Sequence, residues 1–72
     1  MPNPLHSKAY KNVARKLKEA RLEASLTQAQ VAKKLGKPQS FISKIESAER
    51  RLDIAELAIL AKVYNKKIDY FV

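Results

Sequence analysis

The single glycine of the chain, Gly36, lies between two short segments whose apolar residues recur at helical spacing. Val31 and Leu35 precede it at an interval of four residues, and Ile42 and Ile45 follow it at an interval of three. Such intervals place apolar side chains on one face of a helix. Glycine adopts the left-handed conformation that often ends a helix without the steric cost that other residues carry. The segment therefore predicts two short helices with a sharp turn between them.

Helical periodicity and capping residues extend along the rest of the chain. Ser7, Thr27 and Asp53 stand where N-caps are expected, Pro38 fits the first turn of a helix, and Asn65 can close one. The predicted helices cover about 8–24, 27–35, 38–47 and 54–64, with a last short turn over 68–71. The outward face of the first helix carries Lys11, Lys16, Lys18 and Glu19, as a solvated surface would. We expect an all-α fold, a compact bundle of four to five short helices.

The length of 72 residues allows one small domain with a modest core. We expect a flexible N-terminal arm over 1–7 and a single domain over 8–72. The chain has no cysteine, and His6 is its only histidine, which we interpret as a solvated residue of the arm. One glycine cannot build a nucleotide-binding loop, and the seven acidic residues do not cluster as a metal site requires. We therefore expect no enzyme activity, no cofactor and no metal.

No apolar run is long enough to span a bilayer, and Met1 to Ser7 does not resemble a signal peptide. We expect a cytoplasmic protein without a membrane partner. The formal net charge of +8 attracts polyanions, so charge alone favours nucleic acid or an anionic membrane as the partner. Charge by itself discriminates weakly, because a lysine-rich solvated surface needs no partner.

The third predicted helix has one apolar and one polar side. Ile42 and Ile45 form the apolar side. The polar residues fall within an arc of about 140° on a helical wheel, and they are Gln39, Ser40, Ser43 and Lys44. Glutamine can bond adenine, lysine can reach guanine or phosphate, and serine lets a helix approach the bases closely. These four residues are therefore the candidate base readers in a DNA major groove.

The stretch "LTQAQVAKKLGKPQSFISKIESAERRLDIAEL", with Arg21 five residues before its first leucine, closely resembles the phage repressor and Cro-like helix-turn-helix family, often called the XRE family. The resemblance extends from Tyr10 to Phe71. It implies a lambda repressor-like fold and a sequence-specific transcriptional regulator of double-stranded DNA, most often a repressor. It also implies that Thr27 and Gln28 bind a DNA phosphate at the N-terminus of the second helix and that Lys37 flanks the groove.

Three further residues receive interpretations with open alternatives. Phe41 is expected to contact a sugar or a thymine methyl group, and partial packing on the core is an equal alternative. Arg50 and Arg51, just past the third helix, are expected to hold the DNA backbone, and a solvated basic link is the alternative.

Two further expectations follow from the resemblance and concern structure. It implies that Arg21 and Glu46 form a mostly buried ion pair between the first and third helices, without a direct role in DNA binding. Ser25 and Ala48 stand where glycine is common in the family, at the ends of the first and third helices. A residue other than glycine carries a cost in the left-handed region, so the loop from Ser47 to Leu52 is where a departure from the family's backbone path is expected.

One recognition helix reads few base pairs, so we expect a homodimer on a two-fold operator. Ile59 and Val63 form the candidate dimer patch, unless Val72 and its neighbours fold over them. A protein-interaction module or an antitoxin-type partner of the same fold is the alternative function. Such a module would be expected to lose Gln39 and Lys44, which are present here. We expect no small-molecule effector.

Overall fold

The computed structural model describes residues 7–72 and there consists of four α-helices and a terminal 3-10 turn, without a strand. The helices are α1 (Lys8–Glu23), α2 (Gln28–Leu35), α3 (Gln39–Glu46) and α4 (Ile54–Val63), and the 3-10 turn is Ile68–Tyr70. The predicted all-α bundle of four to five short helices is confirmed. Of the arm predicted over 1–7, and of His6 within it, all but Ser7 lies outside the described residues.

Side-chain caps begin three of the four helices. Ser7 caps α1, as predicted. Thr27 and Gln30 form a reciprocal capping box at α2, in which each side-chain oxygen accepts the other residue's backbone N–H at 3.1 and 2.9 Å. Asp53 and Glu56 do the same at α4, at 2.7 and 3.1 Å. These bonds satisfy N–H groups that have no partner within the helix.

The start of α3 differs from the prediction by one residue. Pro38 has an extended backbone (ψ 154°) and stands at the N-cap position, not inside the first turn. Its carbonyl oxygen already accepts the N–H of Phe41 at 3.0 Å. Because the proline side chain has no hydrogen-bonding atom, α3 begins without a side-chain cap. The first N–H groups of α3 are thus left for solvent or a ligand.

Every α-helix is followed by a residue in the left-handed region: Ser25 (φ 58°), Gly36 (66°), Ala48 (62°) and Asn65 (58°). The expectation that Ser25 and Ala48 take the place of glycine is therefore confirmed. A Cβ atom built on Gly36 would meet nothing within 4 Å, so the backbone conformation alone favours glycine there. Ser25 and Ala48 adopt the same conformation at the steric cost that a Cβ atom brings.

The core is one cluster to which all four helices and the C-terminal segment contribute. Its buried members are Leu17, Ala20, Val31, Ala32, Ile42, Ile45, Leu57, Leu60, Ala61, Tyr64 and Phe71. Ala20 and Ala32 are small where helices must approach closely. Ile42 and Ile45 hold the underside of α3, and each such side chain contributes about 1.5–3 kcal/mol by leaving water. The opposite side of α3 is thereby fixed outward.

Candidate nucleic-acid interface

The outward side of α3 carries all four predicted base readers. Gln39, Ser40, Ser43 and Lys44 are exposed. Helix α2 packs against α3, and the turn between them is closed by two backbone hydrogen bonds, from Lys37 N to Ala32 O (2.9 Å) and from Gly36 N to Lys33 O (3.2 Å). This arrangement is a helix-turn-helix, in which the second helix is packed on the core by one side and exposes the other.

A buried ion pair joins α1 to the last residue of α3. Arg21 Nε lies 2.7 Å from Glu46 Oε2, and Arg21 Nη2 lies 3.1 Å from Glu46 Oε1. The two side chains are 9% and 4% exposed. Arg21 Nη1 also donates to the carbonyl oxygen of Leu26 at 2.8 Å, and the hydrogen bond to Glu46 raises the pKa of the guanidinium. All of these contacts are internal, so Arg21 holds α1 to the end of α3.

The same carboxylate orients a side chain in the first turn of α2. Gln28 Nε2 donates to Glu46 Oε1 at 3.1 Å, which turns the Gln28 amide oxygen away from the ion pair. That oxygen accepts the amide N–H of Gln39 at 3.4 Å. Because a carboxylate can only accept hydrogen bonds, Glu46 determines which end of Gln28 faces Gln39. The Gln39 amide keeps its oxygen and its second N–H without a hydrogen-bond partner among the described residues.

The N-terminus of α2 keeps two backbone donors available. The capping box uses the N–H groups of Thr27 and Gln30. Among the described residues, no hydrogen bond uses the N–H groups of Gln28 and Ala29. Free N–H groups at the positive end of a helix dipole can bind an anion. The Thr27 hydroxyl oxygen accepts the Gln30 N–H as the cap, which leaves its O–H group able to donate.

Within α3, Phe41 is half-buried beneath two cations. The guanidinium carbon of Arg50 lies 4.4 Å from the centre of the Phe41 ring, and Lys37 Nζ lies 5.6 Å from it. Arg50 also forms a two-point ion pair with Glu56 at 3.1 and 3.2 Å. Arg50 is therefore engaged within the domain, whereas Arg51 and Lys37 are exposed.

Sequence reasoning missed the part that Tyr10 plays in this loop. The Tyr10 hydroxyl donates to the carbonyl oxygen of Arg50, which ties the start of α1 to the link between α3 and α4. Burial raises the pKa of this hydroxyl, which favours its protonated, donating form. Only the apolar spacing of Tyr10 was visible in the sequence. No local pattern indicates a partner 40 residues away.

Sequence reasoning also assigned Lys18 to a solvated helix surface. The structure places it at the edge of a shallow recess between α1 and the helix-turn-helix, lined by Lys18, Gln28, Ser43, Glu46 and Ser47. The spacing between Lys18 and Arg21 could have indicated this position, because residues three apart are neighbours on a helix. Lys18 precedes Arg21 by three residues, and Arg21 points towards α3.

The two residues of the candidate dimer patch have different environments. Ile59 is 51% exposed, whereas Val63 is partly buried against the core. Val72 is itself 75% exposed, so the C-terminal residues leave Ile59 uncovered. Ile59 borders a small apolar recess together with Leu35 and Phe41.

Two further observations concern other classes of site. In residues 7–72 no helix combines the length and apolarity that crossing a bilayer requires. The described part of the chain likewise contains no group of three or more His, Cys, Asp or Glu side chains that could hold a metal ion.

The fold and the exposed polar side of α3 define a DNA-binding helix-turn-helix domain. A family model described as Helix-turn-helix matches residues 17–71, which is most of the chain. The chain therefore belongs to the XRE family of phage repressor and Cro-like helix-turn-helix proteins. No curated protein sequence matches it. Its class is that of a DNA-binding regulator.

Proposed function

We propose that this protein is a sequence-specific repressor that reads the major groove of double-stranded DNA with α3. Gln39, Ser40, Ser43 and Lys44 are the proposed base-reading residues. Ile42 and Ile45 beneath them are almost fully buried, so the reading side is held rigidly outward. A rigid, pre-oriented surface loses little conformational entropy on binding.

The single observation that carries this proposal is the hydrogen bond between the amides of Gln39 and Gln28 on the outward side of α3. One N–H of its Nε2 atom is bonded to Gln28, which leaves one N–H donor beside the amide oxygen. This donor and acceptor pair complements N7 and N6 of adenine. Because Gln28 is anchored on Glu46, the pair is oriented before DNA arrives. We therefore assign to Gln39 the recognition of an adenine.

Contacts with the DNA backbone fix the position of α3 in this proposal. Thr27 and the N–H groups of Gln28 and Ala29 would bind one phosphate at the N-terminus of α2. Lys37 and Arg51 are exposed on either side of α3 along the chain and would bind others. Phe41 would contact a sugar or a thymine methyl group. The Glu56 carboxylate already holds Arg50, so we assign to Arg50 the support of Phe41 and the loop.

We further propose that the protein binds a two-fold operator as a homodimer, with exposed Ile59 at the contact between copies. A single helix reads too few base pairs to select one site in a genome, and pairing two copies doubles that number. A dimer seated on a promoter would repress transcription by occupying it. The small apolar recess beside Ile59 gives the contact a shape to fill.

Selection of bound sequences from a random pool of DNA duplexes tests the proposal. We expect a two-fold sequence with half-sites about 34 Å apart, bound much more tightly than random duplex. Titration at several salt concentrations should show affinity falling steeply with salt, because bound phosphates release counterions. A pool that yields no preferred sequence, with no salt-dependent binding, would contradict the proposal and favour a protein-interaction module.

A further inference from the structure

The recess beside α3 includes a cation from outside the helix-turn-helix. Lys18 belongs to α1, whereas Gln28 belongs to α2 and Ser43 to α3. Lys18 is exposed and takes part in no ion pair among residues 7–72. Its charge is thus available to a ligand at the border of the interface.

The position of Lys18 follows from the ion pair described above. Arg21 lies one helical turn further along α1 and reaches Glu46 on α3. Lys18, three residues earlier, lies on the same side of α1. The side of α1 that faces α3 therefore carries a buried cation that is paired and an exposed cation at its margin.

Of the charged side chains that line the recess, Glu46 is paired within residues 7–72 and Lys18 is not. Arg21 and Gln28 both donate to Glu46, which neutralises and satisfies that carboxylate. A second acid, Glu49, accepts a hydrogen bond from the Ser47 hydroxyl at 2.7 Å. Apart from Lys18, the recess is lined by the Gln28 amide, the hydroxyls of Ser43 and Ser47, and the Glu46 carboxylate that Arg21 already pairs. Lys18 is therefore the cation of this lining that an anionic ligand can reach.

We propose that Lys18 is an additional DNA-binding residue, whose ammonium group binds a phosphate of the strand that passes the N-terminus of α2. Gln28 links the recess to the start of α3 through its bond to Gln39, so a strand held there runs next to the reading side. A lysine suits this task because it is a point charge on a long flexible stem. The assignment rests on the proposed function, and it extends the interface to α1.

The test uses the duplex selected from the random pool, titrated by fluorescence anisotropy across a range of salt concentrations. For Lys18→Ala we expect weaker binding and a salt slope that is smaller by about 0.9, the value for one phosphate contact. Lys18→Arg should keep the slope. Because Lys18 is exposed, we expect both variants to fold like the parent chain, and thermal unfolding of each variant checks this.

Lys62→Ala is the matched control, because it removes the same charge from an exposed position on α4. Lys62 borders a different recess, to which neither α2 nor α3 contributes. Its salt slope should equal that of the parent chain. An unchanged slope for Lys18→Ala, or equal losses in both alanine variants, would overturn the assignment of Lys18 while leaving the proposed function intact. A parent chain that binds no duplex would overturn the proposed function and this assignment with it.

Discussion

Arg21 and Glu46, 25 residues apart in the chain, meet through two parallel hydrogen bonds of 2.7 and 3.1 Å in a place where both side chains are nearly buried. The pair joins α1 to the end of α3. Glu46 also orients Gln28, and through it Gln39. One carboxylate thus connects the stability of the domain to the side chain that we propose reads adenine.

Arg21→Met should strongly destabilise the domain. It leaves the Glu46 carboxylate buried without its cation, which can cost about 3–5 kcal/mol. The measurement is the free energy of unfolding from urea titration or the melting temperature. Lys44→Ala is the control, because Lys44 is equally basic but exposed, and it should change stability by less than about 0.5 kcal/mol. Equal melting temperatures for the two variants would contradict this prediction.

The double variant Arg21→Met with Glu46→Leu tests whether the loss of stability comes from the unpaired Glu46 carboxylate. Replacing both charges with apolar groups removes the uncompensated charge, so stability should recover relative to Arg21→Met. Gln28 would at the same time lose its anchor on Glu46. We therefore expect a stable domain with reduced preference at the base pair that Gln39 contacts.

Ala48→Gly should stabilise the domain by about 1 kcal/mol. Ala48 has a φ of 62°, where a Cβ atom costs about 1–2 kcal/mol, and glycine removes that cost. Glycine also has greater conformational freedom in the unfolded chain, which cancels about half of the stabilisation. Ala58→Gly is the opposite control, because Ala58 is an exposed residue within α4 and glycine there should cost about 1 kcal/mol. If Ala48→Gly lowered the melting temperature, the conformation of this loop would need another explanation.

The proposed base readers and backbone contacts should respond differently to alanine. Gln39→Ala and Lys44→Ala should each cost about 1–3 kcal/mol of discrimination at a single base pair of the selected operator. Lys37→Ala should weaken binding to all sequences alike and reduce the salt slope by about one unit. The measurement is a competition assay with operators changed at one position at a time. A uniform loss for Gln39→Ala would assign it to the backbone.

Ile59→Glu tests the proposed contact between copies. Placing a charge on an exposed apolar residue of an interface should separate the dimer without unfolding the chain. Analytical ultracentrifugation of both proteins at the same concentration gives the answer. Ile54→Glu is a control on the same helix, since Ile54 is also exposed but does not border the recess beside Ile59. A sedimentation coefficient unchanged by Ile59→Glu would exclude this interface.

The helices and their caps could be predicted from the sequence because their signals are local. Thr27, Gly36 and Asp53 act within one turn of their own positions, so their residue types are enough. Pro38 was placed one residue too far inside α3, because its fixed φ suits both the N-cap and the first turn and only ψ distinguishes them.

Contacts between distant segments could not be predicted in this way. Periodicity put Tyr10 on the core side of α1, but the bond from its hydroxyl to Arg50 depends on how α1 and the loop pack in three dimensions. The same holds for Arg50, whose partner Glu56 lies in the next helix. The sequence does not distinguish Lys18 from other solvated lysines, because its position beside α2 and α3 depends on how the helices pack. The pairing of Arg21 with Glu46 came from the family resemblance alone.

Helices α2 and α3 contain eight residues each. Isolated helices of that length do not persist in water, because the free energy needed to form the first turn exceeds the stabilisation that two turns of hydrogen bonds provide. The proposed reading surface can therefore exist only while Ile42 and Ile45 stay embedded in the core. We expect loss of operator affinity on heating to coincide with global melting, so that the protein has no partly folded form that still recognises its site.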